Sequence, residues 1–201
     1  MNKAFSIAAI VALVTTLSFA EGLKIGARAA LNINYVSIDA DAAPDLGFGF
    51  GGGGGLVAVI PISGDFAVRT GAEFGYRTLY SDKLADVKSS ATEFALNIPV
   101  TVQYTYSIGE NSGAFMGFGV QFDIPFASEI HVGDNSSEFK DRSAFDLGII
   151  VNCGFNITEN IAFDIRGTIE NPVGLALTTI TTDKDNKSYL YGGSFGFTYF
   201  F

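Results

Sequence analysis

Glu93-Phe94-Ala95-Leu96-Asn97-Ile98-Pro99-Val100-Thr101-Val102-Gln103-Tyr104 carries an apolar side chain at every second position. Phe94, Leu96, Ile98, Val100, Val102 and Tyr104 fall on one side of an extended chain, and Glu93, Asn97, Thr101 and Gln103 fall on the other. Successive side chains of a β-strand point to opposite faces, so this period of two predicts a strand with two chemically distinct faces. A helix would gather its apolar residues at three- and four-residue spacings instead.

Working outward, the same alternation covers Leu23 to Tyr35, Phe66 to Tyr80, Met116 to Ile124, Phe145 to Cys153, Ile161 to Ile169 and Tyr189 to Phe201. One more strand, about Gly49 to Ile60, is needed to bring the chain back from the first loop. The run Gly51 to Gly55 leaves the facing of that strand open. Eight strands result. Short turns are expected at 61–65, 109–112 and 156–160, and longer polar stretches at 37–47, 81–90, 128–141 and around 182–187. Short turns at one end and long loops at the other are the arrangement of a transmembrane barrel. The expected fold is therefore all-β, an eight-stranded antiparallel up-and-down transmembrane β-barrel.

Alternation alone also fits a soluble sandwich or lipocalin-like barrel, whose apolar face would be the core. Three observations favour the inverted arrangement. The apolar face of the seven strands that can be phased holds no charged residue and is rich in Phe and Tyr. The other face mixes Gly, Ala, Ser, Thr and Asn with scattered charges, which suits a narrow lumen. It holds Lys24, Arg28, Arg69, Arg77, Arg142 and Arg166 against Glu73, Glu93, Asp123, Asp146, Asp164 and Glu170. All the arginines lie there, whereas every lysine beyond Lys24 falls in a long loop. Arginine suits enclosed bidentate pairing and lysine suits hydrated positions, so the sorting points to an interior.

Residues 1–20 stand apart. Met1-Asn2-Lys3 gives a positive start, Ala4 to Leu17 is almost wholly apolar, and Ser18-Phe19-Ala20 ends in small residues. That is the pattern of a secretory signal peptide, leaving 21–201 as the barrel domain. Without Lys3 the chain has eleven basic and twenty-one acidic side chains, net −10. Phosphate backbones need clustered Lys and Arg, so nucleic acid is excluded as a partner. Cys153 is the only cysteine, which rules out an internal disulfide and a cysteine-based zinc site. Mean hydropathy is +0.31, although no segment after residue 20 is long and apolar enough for a spanning helix.

Ser194-x-Gly196-x-x-Tyr199-x-Phe201 at the C-terminus looks like the assembly signal read by the outer-membrane barrel-insertion machinery. Asn97-Ile98-Pro99-Val100 with Tyr104, followed by Gly117-Phe118-Gly119, resembles the PorT-like outer-membrane β-barrel domain family. The resemblance implies the fold and an integral outer-membrane location in a Gram-negative envelope. It also implies tolerance of Pro99 at a local irregularity, and it carries over no catalytic residue.

No cofactor, metal or catalytic site is expected. Gly51 to Gly55 lacks the Lys-Ser/Thr of a phosphate loop and any βαβ context, so a bending strand is the reading. His131, with Asp134, Ser136 and Ser137 nearby, suggests the His/Ser/acid chemistry of a lipid-modifying enzyme, but the spacing is that of an exposed loop histidine. Eleven loop acids (Asp39, Asp41, Asp45, Asp82, Asp86, Glu129, Asp134, Glu138, Asp141, Asp183, Asp185) could share divalent cations with lipopolysaccharide phosphates, although their spacing matches no dedicated site. Cys153 is expected on the lipid side as a small hydrophobe. The expected partners are outer-membrane lipids and lipopolysaccharide, the insertion machinery through the last strand, and an extracellular ligand of the acidic loops. The leading expectation is a non-enzymatic envelope scaffold or surface-contact protein. A conduit for small or hydrophobic solutes comes second and a lipid-modifying enzyme third.

Overall fold

A computed structural model describes residues 22–39, 48–84, 87–109, 112–132, 135–138, 146–170 and 187–201. The expected signal peptide lies outside them. The strands are β1 (Lys24–Asp39), β2 (Phe48–Ser63), β3 (Phe66–Leu84), β4 (Val87–Ser107), β5 (Gly113–Val132), β6 (Asn135–Glu138), β7 (Asp146–Asn156), β8 (Ile161–Glu170) and β9 (Lys187–Phe200). Eight of them pair antiparallel in the ring β1-β2-β3-β4-β5-β7-β8-β9, and β9 returns to β1. The four-residue β6 pairs only with the outer end of β5. Closure leaves the ring without an edge, so every strand finds partners on both sides.

The stagger of the ring follows from its ladders. From Arg28, partners run through Gly55, Glu73, Asn97 and Asp123 to Asp146 on β7. In the other direction they run through Thr198 and Ala162 to Asn156, also on β7. The two routes meet the same strand ten residues apart, at Asp146 and Asn156. Such a shear on eight strands requires a tilt of roughly 40–45°, and it decides which distant residues meet inside.

Burial is inverted relative to a water-soluble protein. Leu31 is 73% exposed and Phe118 69%, while Asp164 is 0% and Arg69 3% exposed. Among the described residues, the outward positions of the ring between the turns and the loops carry no charge. Aromatic pairs mark both rims: Phe66 with Tyr104 (5.1 Å) near the short turns, and Tyr76 with Phe94 (5.0 Å) and Tyr35 with Tyr191 (6.4 Å) towards the loops. An apolar band between two aromatic belts is the outer wall of a membrane-spanning barrel. No described helix is long and apolar enough to cross a membrane, and the crossing is made by strands.

Several boundaries differ from the sequence reading. The stretch 81–90 is not a loop: β3 and β4 continue as a hairpin to Leu84 and Val87. Much of 128–141 is also strand, since β5 runs to Val132 and β6 folds back on it. Polar residues stay extended there because they stand beyond the membrane, where a strand needs no apolar face. β2 reaches Ser63 past an irregularity at Pro61/Ser63, and the turn narrows to Gly64-Asp65, with Gly64 at φ +53°. Its facing is now defined, with Val57 1% exposed in the lumen and Phe48, Phe50 and Leu56 outside. Pro99 causes no bulge. The β3–β4 ladder skips Gly71 and Ala72 opposite Pro99 and Ile98, then resumes in the same register. A residue without an N–H removes a rung and leaves the alignment intact.

Candidate functional site

The lumen is where the chain concentrates its buried polar chemistry, and it is layered. Nearest the short turns lies an apolar layer of Phe115, Ala162 and Phe200 with Val59 packed against it. Gly154 makes room for it, because a Cβ there would lie 2.5 Å from the Phe115 ring. The Arg69 guanidinium rests 5.3 Å above the same ring, a cation–π contact joining this layer to the next.

Above it is a tier of three arginines on two acids. Asp164 receives Arg28 Nη2 (2.7 Å) and Nε (3.1 Å), Arg69 Nη2 (3.1 Å) and Arg166 Nε (3.3 Å). Glu73 receives Arg28 Nη1 (2.9 Å) and Arg166 Nη1 (2.8 Å). Bidentate guanidinium–carboxylate geometry of this kind is the strong form of the ion pair. Gly196 is required for it, since a Cβ would stand 2.3 Å from Arg28 Nη2.

The tier nearest the loops reverses the balance. Arg77 binds Glu93 through Nε (2.9 Å) and Glu170 through Nη1 (2.7 Å). Gln121 Nε2 donates to Asp123 (3.0 Å) and Glu170 (3.1 Å), and Asp146 pairs in register with Asp123. Among the described residues this tier has one arginine for four acids. Between the tiers lies a polar cavity of about 60 Å³, which Asn32, Asn34, Asn97 and Gly53 help to line. It is large enough for a few waters.

The structure redistributes the charged residues expected to share the lumen. Lys24 is exposed at the rim, because it stands at the first residue of β1. Arg142 lies outside the described residues. Arg166 touches Glu73 and its β8 neighbour Asp164, and Arg77 takes Glu170; Asp164, with three arginines on it, is the hub. The sequence reading missed Phe115 and Phe200, although their parity with Gly117 and Thr198 is the signal that places them inward.

The other candidates lie elsewhere. Gly51 to Gly55 is regular strand, with Gly51, Gly53 and Gly55 facing inward. His131 is on β5 in register with Ser136; its Nε2 is 3.5 Å from Glu129 and about half its side chain is exposed. Asp134 lies outside the described residues, as do Asp41, Asp45, Asp86, Asp141, Asp183 and Asp185. Cys153 is a free, exposed thiol on the outer wall.

No protein-family model matches the chain, and no curated protein matches it. Solved structures do. Outer membrane protein OprG from Pseudomonas aeruginosa aligns with a TM-score of 0.50 at 14% identity, over 90% of this chain and 96% of that one. Neisserial surface protein A aligns at 0.49 and 13% identity, over 89% and 99%. Ail of Yersinia pestis aligns at 0.46 and 12%, over 90% and 100%. With the closed ring and its inverted burial already in view, the chain has the fold of the small eight-stranded outer-membrane barrels.

Proposed function

We propose that the chain is exported by residues 1–20, resides in the outer membrane of a Gram-negative envelope, and serves there as a non-enzymatic scaffold and surface-contact barrel. The observation that carries this reading is the filled lumen: an apolar layer under an arginine tier held by Asp164, which leaves no open column for a solute. An eight-stranded ring is only wide enough for side chains to fill. Contact then falls to the outside surface, where β3, β4 and β5, at 19, 21 and 20 residues, outlast β7 and β8 at 11 and 10. The resemblance of Asn97 to Val100 and Gly117 to Gly119 supports kinship with the PorT-like barrels. The terminal Tyr199 and Phe201 supply the insertion signal.

Planar-bilayer recording of the purified protein tests the reading. Little steady conductance is expected; large, stable channels would put the solute conduit first. Replacing the stretch 128–141, which has four acids against one lysine, by a tight turn should abolish attachment of expressing cells to a cationic surface without lowering barrel content. Deleting Phe201 should lower outer-membrane levels, and equal levels would refute the terminal signal. The lipid-modifying alternative rests on His131 beside Glu129. It predicts an altered lipid A mass profile in a deletion strain.

A further inference from the structure

Besides Asn34, which lines the cavity between the tiers, three described lumen side chains are more than nine-tenths buried and carry atoms with no hydrogen-bond partner: Asn152 at both Oδ1 and Nδ2, Gln103 at Oε1 and Arg69 at Nε. The ladders bring them together. Gln103 on β4 pairs in register with Gly117 on β5, and Gly117 pairs with Asn152 on β7. Arg69 on β3 stands opposite Thr101, two residues along β4 from Gln103. Gly117 lets the Asn152 side chain lean across β5, since a Cβ on Gly117 would lie 2.7 Å from Asn152 Oδ1. None of the three lines the cavity between the tiers.

Both ends of the Asn152 amide lack a partner, so no hydrogen bond within the barrel fixes its orientation. Gln103 Nε2 donates to Thr105 Oγ1 at 3.2 Å; a flip would let the hydroxyl donate instead and would leave the nitrogen alone. The Arg69 Nε–H is fixed in place by its guanidinium, whose Nη2 is held by Asp164 and Thr198. Buried polar groups in folded proteins are satisfied by protein or by ordered solvent.

We infer that this corner of the lumen, between Arg69, Gln103, Gly117 and Asn152, is a built hydration site that holds a small cluster of ordered water. The chemistry selects the occupant. Donors (Arg69 Nε, Asn152 Nδ2) and acceptors (Gln103 Oε1, Asn152 Oδ1) stand together, so the guest must both give and accept hydrogen bonds. A cation would face the guanidinium, and an anion would face two carbonyl oxygens. Water needs two to four polar partners and finds them here. The cluster ties β3, β4, β5 and β7 together above the Phe115 layer, beside the Arg69 arm of the Asp164 hub. Closure of the barrel is thus completed by solvent as well as by side chains.

The full-length barrel folded in detergent micelles tests this by two readouts. Water-to-protein nuclear Overhauser contacts are expected at the Asn152 side-chain amide and at the Arg69 Nε–H. Asn152→Leu, close in size and without polar atoms, would expel the water and strand Gln103 and Arg69; its unfolding midpoint should fall by about 5 °C. A dry site predicts the opposite sign, because removing two unsatisfied atoms would raise the midpoint. Absent water contacts in the wild type, or a midpoint for Asn152→Leu at or above the wild-type value, would overturn the inference. Should that variant fail to fold, Asn152→Ser keeps a hydroxyl and enlarges the space. Its Arg69 Nε–H must retain the water contact, and loss of that contact would equally refute the site.

Discussion

The two ionic tiers of the lumen are built from the same residue types and stand a few ångströms apart, yet they solve opposite problems. Next to the Phe115 layer, Arg28, Arg69 and Arg166 share Asp164 and Glu73, a surplus of cations gathered on scarce acids. Towards the loops, Arg77 is the one described arginine on Glu93 and Glu170, with Asp123 and Asp146 beside them. The contrast teaches that charge balance here is local. In the lower tier each acid cannot be replaced. In the upper tier the cation is the scarce component.

The sharpest way to break this contrast is Asp164→Leu. Three guanidiniums would lose their common carboxylate in the barrel interior, which costs about 3–5 kcal/mol when one partner of a buried pair is removed. Glu93→Leu should cost less than half as much, since Arg77 keeps Glu170 and acids remain in surplus. Urea unfolding of both variants in micelles measures the difference, and equal losses would dissolve the distinction between the tiers. A smaller effect is expected from Gly196→Ala. The added carbon would displace the Arg28 fork by steric crowding alone, at about 1–3 kcal/mol. An unchanged stability would show that Arg28 can hold its acids from another position. Smallest is Gln121→Lys, which places an ammonium beside Asp123 and Glu170; its attraction to the two acids offsets the cost of burying it, and the net shift in stability is expected to be small and towards the folded side. Thr101→Lys, introduced next to Arg69 in the lower tier, should shift it the other way. A common sign for the two lysines would mean that the tiers do not differ in field.

Much of the barrel was legible as alternation. Phe94 to Tyr104 and Leu147 to Cys153 point outward as their period of two required, and Arg28, Arg69, Arg77 and Arg166 point inward. Two things were not legible. Polarity reads as loop, so Ser81 to Leu84, Val87 to Ser90 and Ser128 to Val132 were hidden as strand; period two loses its contrast once both faces meet water. The pairing of the charges was hidden as well. Asp164 and Arg166 meet along β8, but their other charged partners, and that of Glu170, come from β1 and β3 through a stagger of ten, a property of the closed ring that no single strand carries. The glycines told less than they do. In the sequence Gly196 stands out only within the C-terminal signal and Gly154 not at all, whereas each marks where a large neighbour passes.

The skipped rung at Pro99 bears on how such a ring comes apart. A barrel without edges has no end strand to peel, so local opening has to begin within the wall. Between β3 and β4 the ladder is interrupted at Gly71 and Ala72, with intact rungs at Thr70 and Glu73 on either side. Amide protons flanking that interruption have less cooperative protection than those of the uninterrupted β1–β9 seam. Deuterium entering the folded protein would therefore mark the β3–β4 seam first, and the wall would breathe at its proline long before it came open at its closure.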